Sequence, residues 1–276
     1  MAQVQELEGQ RILPHNTAPA ATWGSAGAAY EEISRGISDA LEHCVNRLNP
    51  GRGAHILDVA TGTGWTACRL ADLGHTVTGV DFAEDKLAAA RAKAQKRGYR
   101  ITFDLGDAEA LPYADASFDA VISTFGVMFA SDQQKAAGEL ARVCRKGGTL
   151  ALAVWTPDCN VFEMFKIIKT YMPKPVSAPP PSPFEWGDTK RIQQLLGGQF
   201  DLAFETATSF YRIPDGATAW EHFVNGYGPV RMLASKLSDE MRREFRQRFI
   251  DFHDGFKSEL GICVPRDYLI AVGQRK

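Results

Sequence analysis

The chain has 276 residues, 45% hydrophobic and 23% charged, with a formal net charge of −2. That balance suits a soluble globular protein with a substantial core and disfavours a nucleic-acid or membrane partner, because no lysine or arginine run rises above a solvated helix face. No stretch approaches the roughly 18 apolar residues of a membrane span. Residues 1–20 hold no apolar signal core, so a cytoplasmic protein is expected.

From Tyr30 to Leu48 apolar side chains recur every three or four residues, predicting one amphipathic helix ended by Asn49-Pro50-Gly51. Strands and helices then alternate. The patterns predict a strand at 55–59, a helix at 63–73, a strand at 76–80, a helix at 84–97, and strands at 100–105 and 120–124. Ser131 with Gln134 reads as a capping box opening a helix to Arg145, and 149–155 as a fifth strand. Such alternation builds a parallel sheet covered on both faces.

Residues 173–183 hold six prolines and predict a stiff connector. A helix at 189–196 and a strand at 200–212 follow, then a second capping box at Thr218–Glu221. Leu237, Met241, Phe245, Phe249, Phe252 and Phe256 share one helical face, best read as core packing. Residues 268–272 close the chain as a strand. The five cysteines form no C-x-x-C, and the histidines show no metal-ligand spacing; reduced thiols and no metal are expected.

The run Gly62-x-Gly64-x-x-Ala67 follows the first strand. Glycines there let a ligand approach the backbone, and the helix that follows turns its N–H groups toward it. Asp81, at the end of the second strand and 19 residues beyond Gly62 (81 − 62), suits an acceptor for ribose hydroxyls. To this point NAD and S-adenosylmethionine fit alike, and an NAD-dependent oxidoreductase stays open.

The surrounding segments narrow the choice. ILDVATGTG at 56–64 resembles motif I of the class I S-adenosylmethionine-dependent methyltransferases. Asp58 inside that strand suits the cationic amino-acid end of such a cofactor and would repel a pyrophosphate. GDAEALPY at 106–113 resembles the family's segment after the third strand, where an acid accepts from the adenine amino group and the next N–H meets a ring nitrogen; Asp107 and Ala108 stand there. SFDAVIST at 117–124 and ELARVCRKGGTLALAVW at 139–155 resemble its fourth strand and its next helix and strand. Ala60 replaces the first glycine common in the family, a small-for-small departure.

The resemblance implies a Rossmann-like α/β fold: a seven-stranded, mostly parallel sheet with helices on both faces and helical lid insertions. It implies one domain over 1–276. Its cofactor core is 50–155, completed by 188–212 and 264–276, with acceptor-side lids at 1–30, 156–187 and 213–262. S-adenosylmethionine is the implied cofactor and S-adenosylhomocysteine the product. Asp58, Ala60, Gly62, Gly64, Asp81, Phe82, Asp107, Ala108 and Thr124 are the implied cofactor residues.

The branch resembled includes quinone-biosynthesis and other small-molecule methyltransferases. STFGVMFA at 123–130 lacks the Asn/Asp-Pro-Pro-aromatic run common in enzymes that methylate nucleobase amino groups or glutamine. The expected acceptor is therefore small and partly apolar. It would present an oxygen or nitrogen between the Phe125–Phe129 loop and the lids. His222, Tyr227 and His15 are the candidate bases or orienting groups, although an activated methyl needs positioning more than a base. A protein or RNA acceptor brought by a partner, and a binding protein that kept the fold without transfer, stay open, as do monomer and homodimer.

Overall fold

The computed structural model describes residues 11–173 and 179–276. Residues 1–10 of the first expected lid and 174–178 of the proline-rich connector lie outside the described residues.

Three helices lead in: α1 (Thr17–Gly24), α2 (Tyr30–Arg35) and α3 (Ser38–Leu48). The core then runs β1 (His55–Val59), α4 (Trp65–Asp72), β2 (Thr76–Asp81), α5 (Glu84–Arg97), β3 (Ile101–Leu105), β4 (Phe118–Thr124), α6 (Gln133–Val143) and β5 (Cys144–Trp155). After it come α7 (Asn160–Tyr171), α8 (Thr189–Leu196), β6 (Phe200–Ile213), α9 (Gly216–Gly226), α10 (Gly228–Lys236), α11 (Asp239–Asp254), β7 (Lys257–Ser258) and β8 (Gly261–Arg275). One sheet runs β3-β2-β1-β4-β5-β8-β6, with the two-residue β7 paired to β8. The first five strands pair parallel, and β8 lies antiparallel between β5 and β6. The sheet is thus the expected mostly parallel one, with one short extra strand.

Helices cover both faces of the centre, so β1 and β2 are buried almost end to end and read as apolar runs. The edge strand β6 mixes buried and exposed positions. The chain steps outward from β1 to β2 and β3, then crosses back to β4 on the other side of β1. Such a reversal opens a crevice beyond the carboxyl ends of β1 and β4.

Four local expectations are corrected. The single helix over 30–48 breaks into α2 and α3, because glycine is a poor helix former. Gly36 N–H closes on Glu32 O at 3.1 Å and Ile37 N–H on Ser34 O at 3.2 Å. The Gly36 carbonyl freed by the break accepts from the Arg266 guanidinium. Ser131 does not cap α6. Asp132 does, accepting from Lys135 N–H at 3.0 Å, while Ser131 Oγ donates to Asn16 Oδ1 at 2.8 Å. That helix stops at Val143 because Cys144 already pairs with Phe118 in the sheet. Likewise Asp215, not Thr218, caps α9, accepting from Thr218 N–H at 2.7 Å.

The phenylalanine stripe of α11 is core at its centre: Phe245 and Phe249 are 0% exposed and meet the Trp220 ring at 5.2 and 5.7 Å. Met241 points outward, 43% exposed.

Candidate functional site

Between β1 and α4 the backbone turns through left-handed conformations at Ala60, Gly62 and Gly64, with φ of 57°, 58° and 74°. Glycine adopts these freely, whereas Ala60 carries strain of about 1 kcal/mol. The two glycines do different jobs. A Cβ at Gly62 would meet nothing nearer than Tyr30 Cε1 at 3.8 Å, so that backbone is open to a ligand. A Cβ at Gly64 would come within 3.0 Å of Ala90 Cβ and 3.1 Å of Phe103 Cζ, so that glycine lets α4 pack on α5 and β3.

A cleft of about 890 Å³ opens at the crevice. It brings together Ala60, Gly62, Asp81, Phe82, Asp107, Ala108 and Thr124 from the predicted set. Asp58 and Gly64 do not line it; they lie behind the loop.

Asp81 is buried at the end of β2, where Oδ2 accepts from Gly62 N–H at 2.8 Å and Oδ1 from Ala83 N–H at 2.9 Å. A carboxylate offers about four acceptor positions, so roughly two remain. Asp107 has none to spare. Its Oδ1 accepts from Asn16 Nδ2 at 3.2 Å and Glu109 N–H at 3.0 Å, and its Oδ2 from Asn16 Nδ2 at 2.9 Å and Leu13 N–H at 3.1 Å. Asp58 is 0% exposed; Oδ2 accepts from Thr61 Oγ1 at 2.6 Å and Oδ1 has no partner. Burial, with Asp81 adding repulsion, raises its pKa to about 7 against the lowering effect of Thr61.

Several lining residues escaped sequence reasoning. Trp23 and Tyr30 come from the leading helices and Asn16 from the turn just before them, and Lys86 and Glu109 look like ordinary surface charges in the sequence. Lys86 is 4% exposed, with Nζ 3.7 Å from the Tyr30 ring centroid and 4.9 Å from that of Trp23. Burial lowers its pKa to about 8, opposed by Asp81. No spacing within α5 marks it, because its cover comes from a segment some sixty residues earlier (86 − 23 = 63).

A second chamber of about 610 Å³ shares Trp23, Tyr30, Ile37, Phe125 and Phe129 with the cleft. Phe125 is held at a φ of 54°, unusual for a bulky residue, and stacks on Trp155 at 4.1 Å. Among the candidate bases, only Tyr227 lines this chamber. Burial, then Tyr30, drive its pKa well above the ordinary phenol value, so it stays protonated at neutral pH and is unsuited to act as a base. His222 lines neither cavity; its Nδ1 lies 2.7 Å from the Tyr211 hydroxyl, and burial lowers its pKa. His15 lines neither, with Nε2 2.7 Å from Glu109 Oε2. Among the described residues no group of three His, Cys, Asp or Glu side chains is arranged for a metal ion, and no helix is long and apolar enough to cross a membrane.

Residues 57–152 match the family model of a methyltransferase domain. An uncharacterized protein of Mycobacterium tuberculosis is 38% identical over 231 residues, covering 82% of this chain and 83% of that protein. The demethylmenaquinone methyltransferase of Thermus thermophilus is 42% identical over 135 residues, 48% of this chain and 58% of that enzyme. Among solved structures, the YcgJ protein of Bacillus subtilis shares the fold with a TM-score of 0.58 at 21% identity, covering 87% of this chain and 99% of that one.

Proposed function

The chain belongs to the S-adenosylmethionine-dependent methyltransferases, and from that premise we propose that it methylates an oxygen or nitrogen of a small, partly apolar molecule held in the second chamber. The observation carrying this reading is the shared aromatic wall: the cleft that holds the glycine loop and Asp81 meets a second, apolar chamber at Phe125 and Phe129. A concave, mostly aromatic chamber of this kind suits a compact molecule better than a polymer.

When bound, the cofactor supplies a methyl group already activated on a sulfonium, leaving S-adenosylhomocysteine after in-line displacement. The chain's own residues do the rest. Asp81 offers its two remaining acceptor positions to the ribose hydroxyls, while its other two hold the loop at Gly62 and Ala83. Asp58, buried behind the loop with one oxygen held by Thr61 and the other unpartnered, would act on the cationic amino-acid end as a charge and not as a lining contact. Gly62 lets the ligand approach its backbone, and Gly64 fixes the helix that follows. Phe82, Ala108 and Thr124 complete the adenosyl side. Phe125 and Phe129 keep water from the methyl path.

The adenine amino group would go to Asp107, whose carboxylate is occupied by Leu13 and Asn16 of the leading segment and by Glu109 N–H. Asn16 must therefore yield when the cofactor enters. Asn16→Ala is expected to bind S-adenosylhomocysteine at least about tenfold more tightly, since a hydrogen bond to a charged group contributes about 1.5–3 kcal/mol. Weaker binding in a stopped-flow and equilibrium comparison would show instead that Asn16 helps to hold the nucleoside.

The overall reading is tested by calorimetric titration and by incubation with methyl-labelled cofactor and a panel of phenols, amines, acids and thiols. S-adenosylhomocysteine is expected to bind in the range of about 1–100 μM and NAD not at all. Label found only in protein or RNA would overturn the small-molecule acceptor.

A further inference from the structure

Arg266 lies on the inward face of β8, only 8% exposed, and lines the second chamber. Its guanidinium sits 4.9 Å from the Tyr211 ring centroid and 5.7 Å from that of Trp155. One of its five N–H donors reaches the Gly36 carbonyl at the helix break, but Nε is buried with no partner. Among the described residues no carboxylate comes within 4.0 Å of it, and no acid lines the chamber. Asp39, the acid that acts on it electrostatically, is engaged by Ala40 N–H and Ser209 Oγ. Burial brings the guanidinium pKa down to about 10, so the group is still a cation at neutral pH.

A buried, unpaired cation is costly, by several kcal/mol, unless an anion completes it. Holding the Gly36 carbonyl explains one donor, and the Tyr211 and Trp155 rings offset part of the charge, but no anion completes it. The remaining polar groups of the chamber do not neutralise it. His253 is kept uncharged by burial with Nδ1 on the Phe249 carbonyl, and Asn160 donates to the Pro265 carbonyl.

We propose that the chamber takes an apolar, ring-bearing carboxylic acid as methyl acceptor, its carboxylate anchored by Arg266 and its methyl-receiving atom at the Phe125–Phe129 end. This rests on the reading that the chamber is the acceptor site. A planar guanidinium pairs with a carboxylate through two parallel hydrogen bonds. A single buried cation matches a monoanion; a phosphate dianion would leave a charge unpaid in an otherwise aromatic cavity. Arg266 does not line the cofactor cleft. Arg266 and Trp155 line only the chamber, whereas Phe125, stacked on Trp155, lines chamber and cleft alike, so the carboxylate is assigned as the anchor and not the methylated group.

The test is a titration at saturating S-adenosylhomocysteine with benzoate, phenylacetate, 3-phenylpropanoate and 4-hydroxybenzoate, each beside its primary amide. At least one acid is expected to bind about tenfold or more tightly than its amide. Arg266→Gln should erase that preference while leaving S-adenosylhomocysteine affinity unchanged. Arg266→Lys, which keeps the charge and loses the fork, should retain a reduced preference and stands in should the glutamine variant not fold. Amides binding as well as acids, no acid of the series binding, or the preference surviving in the glutamine variant would overturn the proposal. S-adenosylhomocysteine binding in the same cells separates the outcomes. Cofactor binding without acid preference sinks this inference alone, and no cofactor binding sinks the methyltransferase reading and this with it.

Discussion

Asp81→Ala is expected to weaken S-adenosylhomocysteine binding by at least about 100-fold, or about 2.7 kcal/mol. The carboxylate holds the loop through Gly62 N–H and Ala83 N–H, and its remaining acceptor positions are the ones offered to the ribose. Hydrogen bonds to a charged group contribute about 1.5–3 kcal/mol each, so losing both ligand contacts and the loop's anchor exceeds that threshold. Asp81→Asn keeps one acceptor oxygen but turns an NH2 group toward one of the two backbone donors. Its loss should be intermediate, about tenfold, with the fold intact by circular dichroism. Near-native affinity in the alanine variant would remove Asp81 from the cofactor site.

The parts of this site that were legible in the sequence are those that depend on strand ends. Asp81 is the last residue of β2, the glycine loop opens directly after β1 and Asp107 follows β3 by two residues, and β1, β2 and β3 lie side by side in the sheet. Their convergence is therefore a property of the alternation itself. What stayed hidden depends on distant cover. Lys86 stands in EDKLAAARAKAQKR, a charged helix in which it resembles its solvated neighbours; only Trp23 and Tyr30 make it a buried cation. Arg266 sits in a strand where alternation marks it inward, but its lack of a carboxylate partner is a fact about all the other segments that line the chamber. The break at Gly36 was written in the sequence yet outweighed by the apolar period on both sides. His222 shows the opposite error: a titratable side chain near a helix start drew attention, and the structure turns it toward Tyr211 instead of a cavity.

Strain points the same way as burial. Ala60 and Phe125 both hold left-handed backbone, at the ends of the two strands that flank the crevice, and both line the cleft. Conformations that cost free energy persist where the surroundings over-determine them, and here they set the floor of one cavity and the wall between two.

Asp58→Asn is expected to move stability and binding in opposite directions. The native carboxyl, raised to about 7 from an ordinary 3.8, holds more of a proton than the unfolded chain does between those two values. Its contribution to stability is therefore fully present below about pH 4, falls as pH rises through the window, and is lost above about 7. Asparagine stays neutral throughout, so at pH 8 the ligand-free variant should melt a few degrees higher than the parent, about 1–3 kcal/mol more stable. Binding reverses the preference, because a ligand ammonium near the unpartnered oxygen favours the ionised form. In the parent, S-adenosylhomocysteine should bind more tightly from about pH 5 to 7, by at most about tenfold per unit, releasing a proton. In the variant the slope should vanish and affinity at pH 8 fall by about tenfold or more. A parent and variant with the same affinity and the same pH profile would show that Asp58 only braces the loop through Thr61.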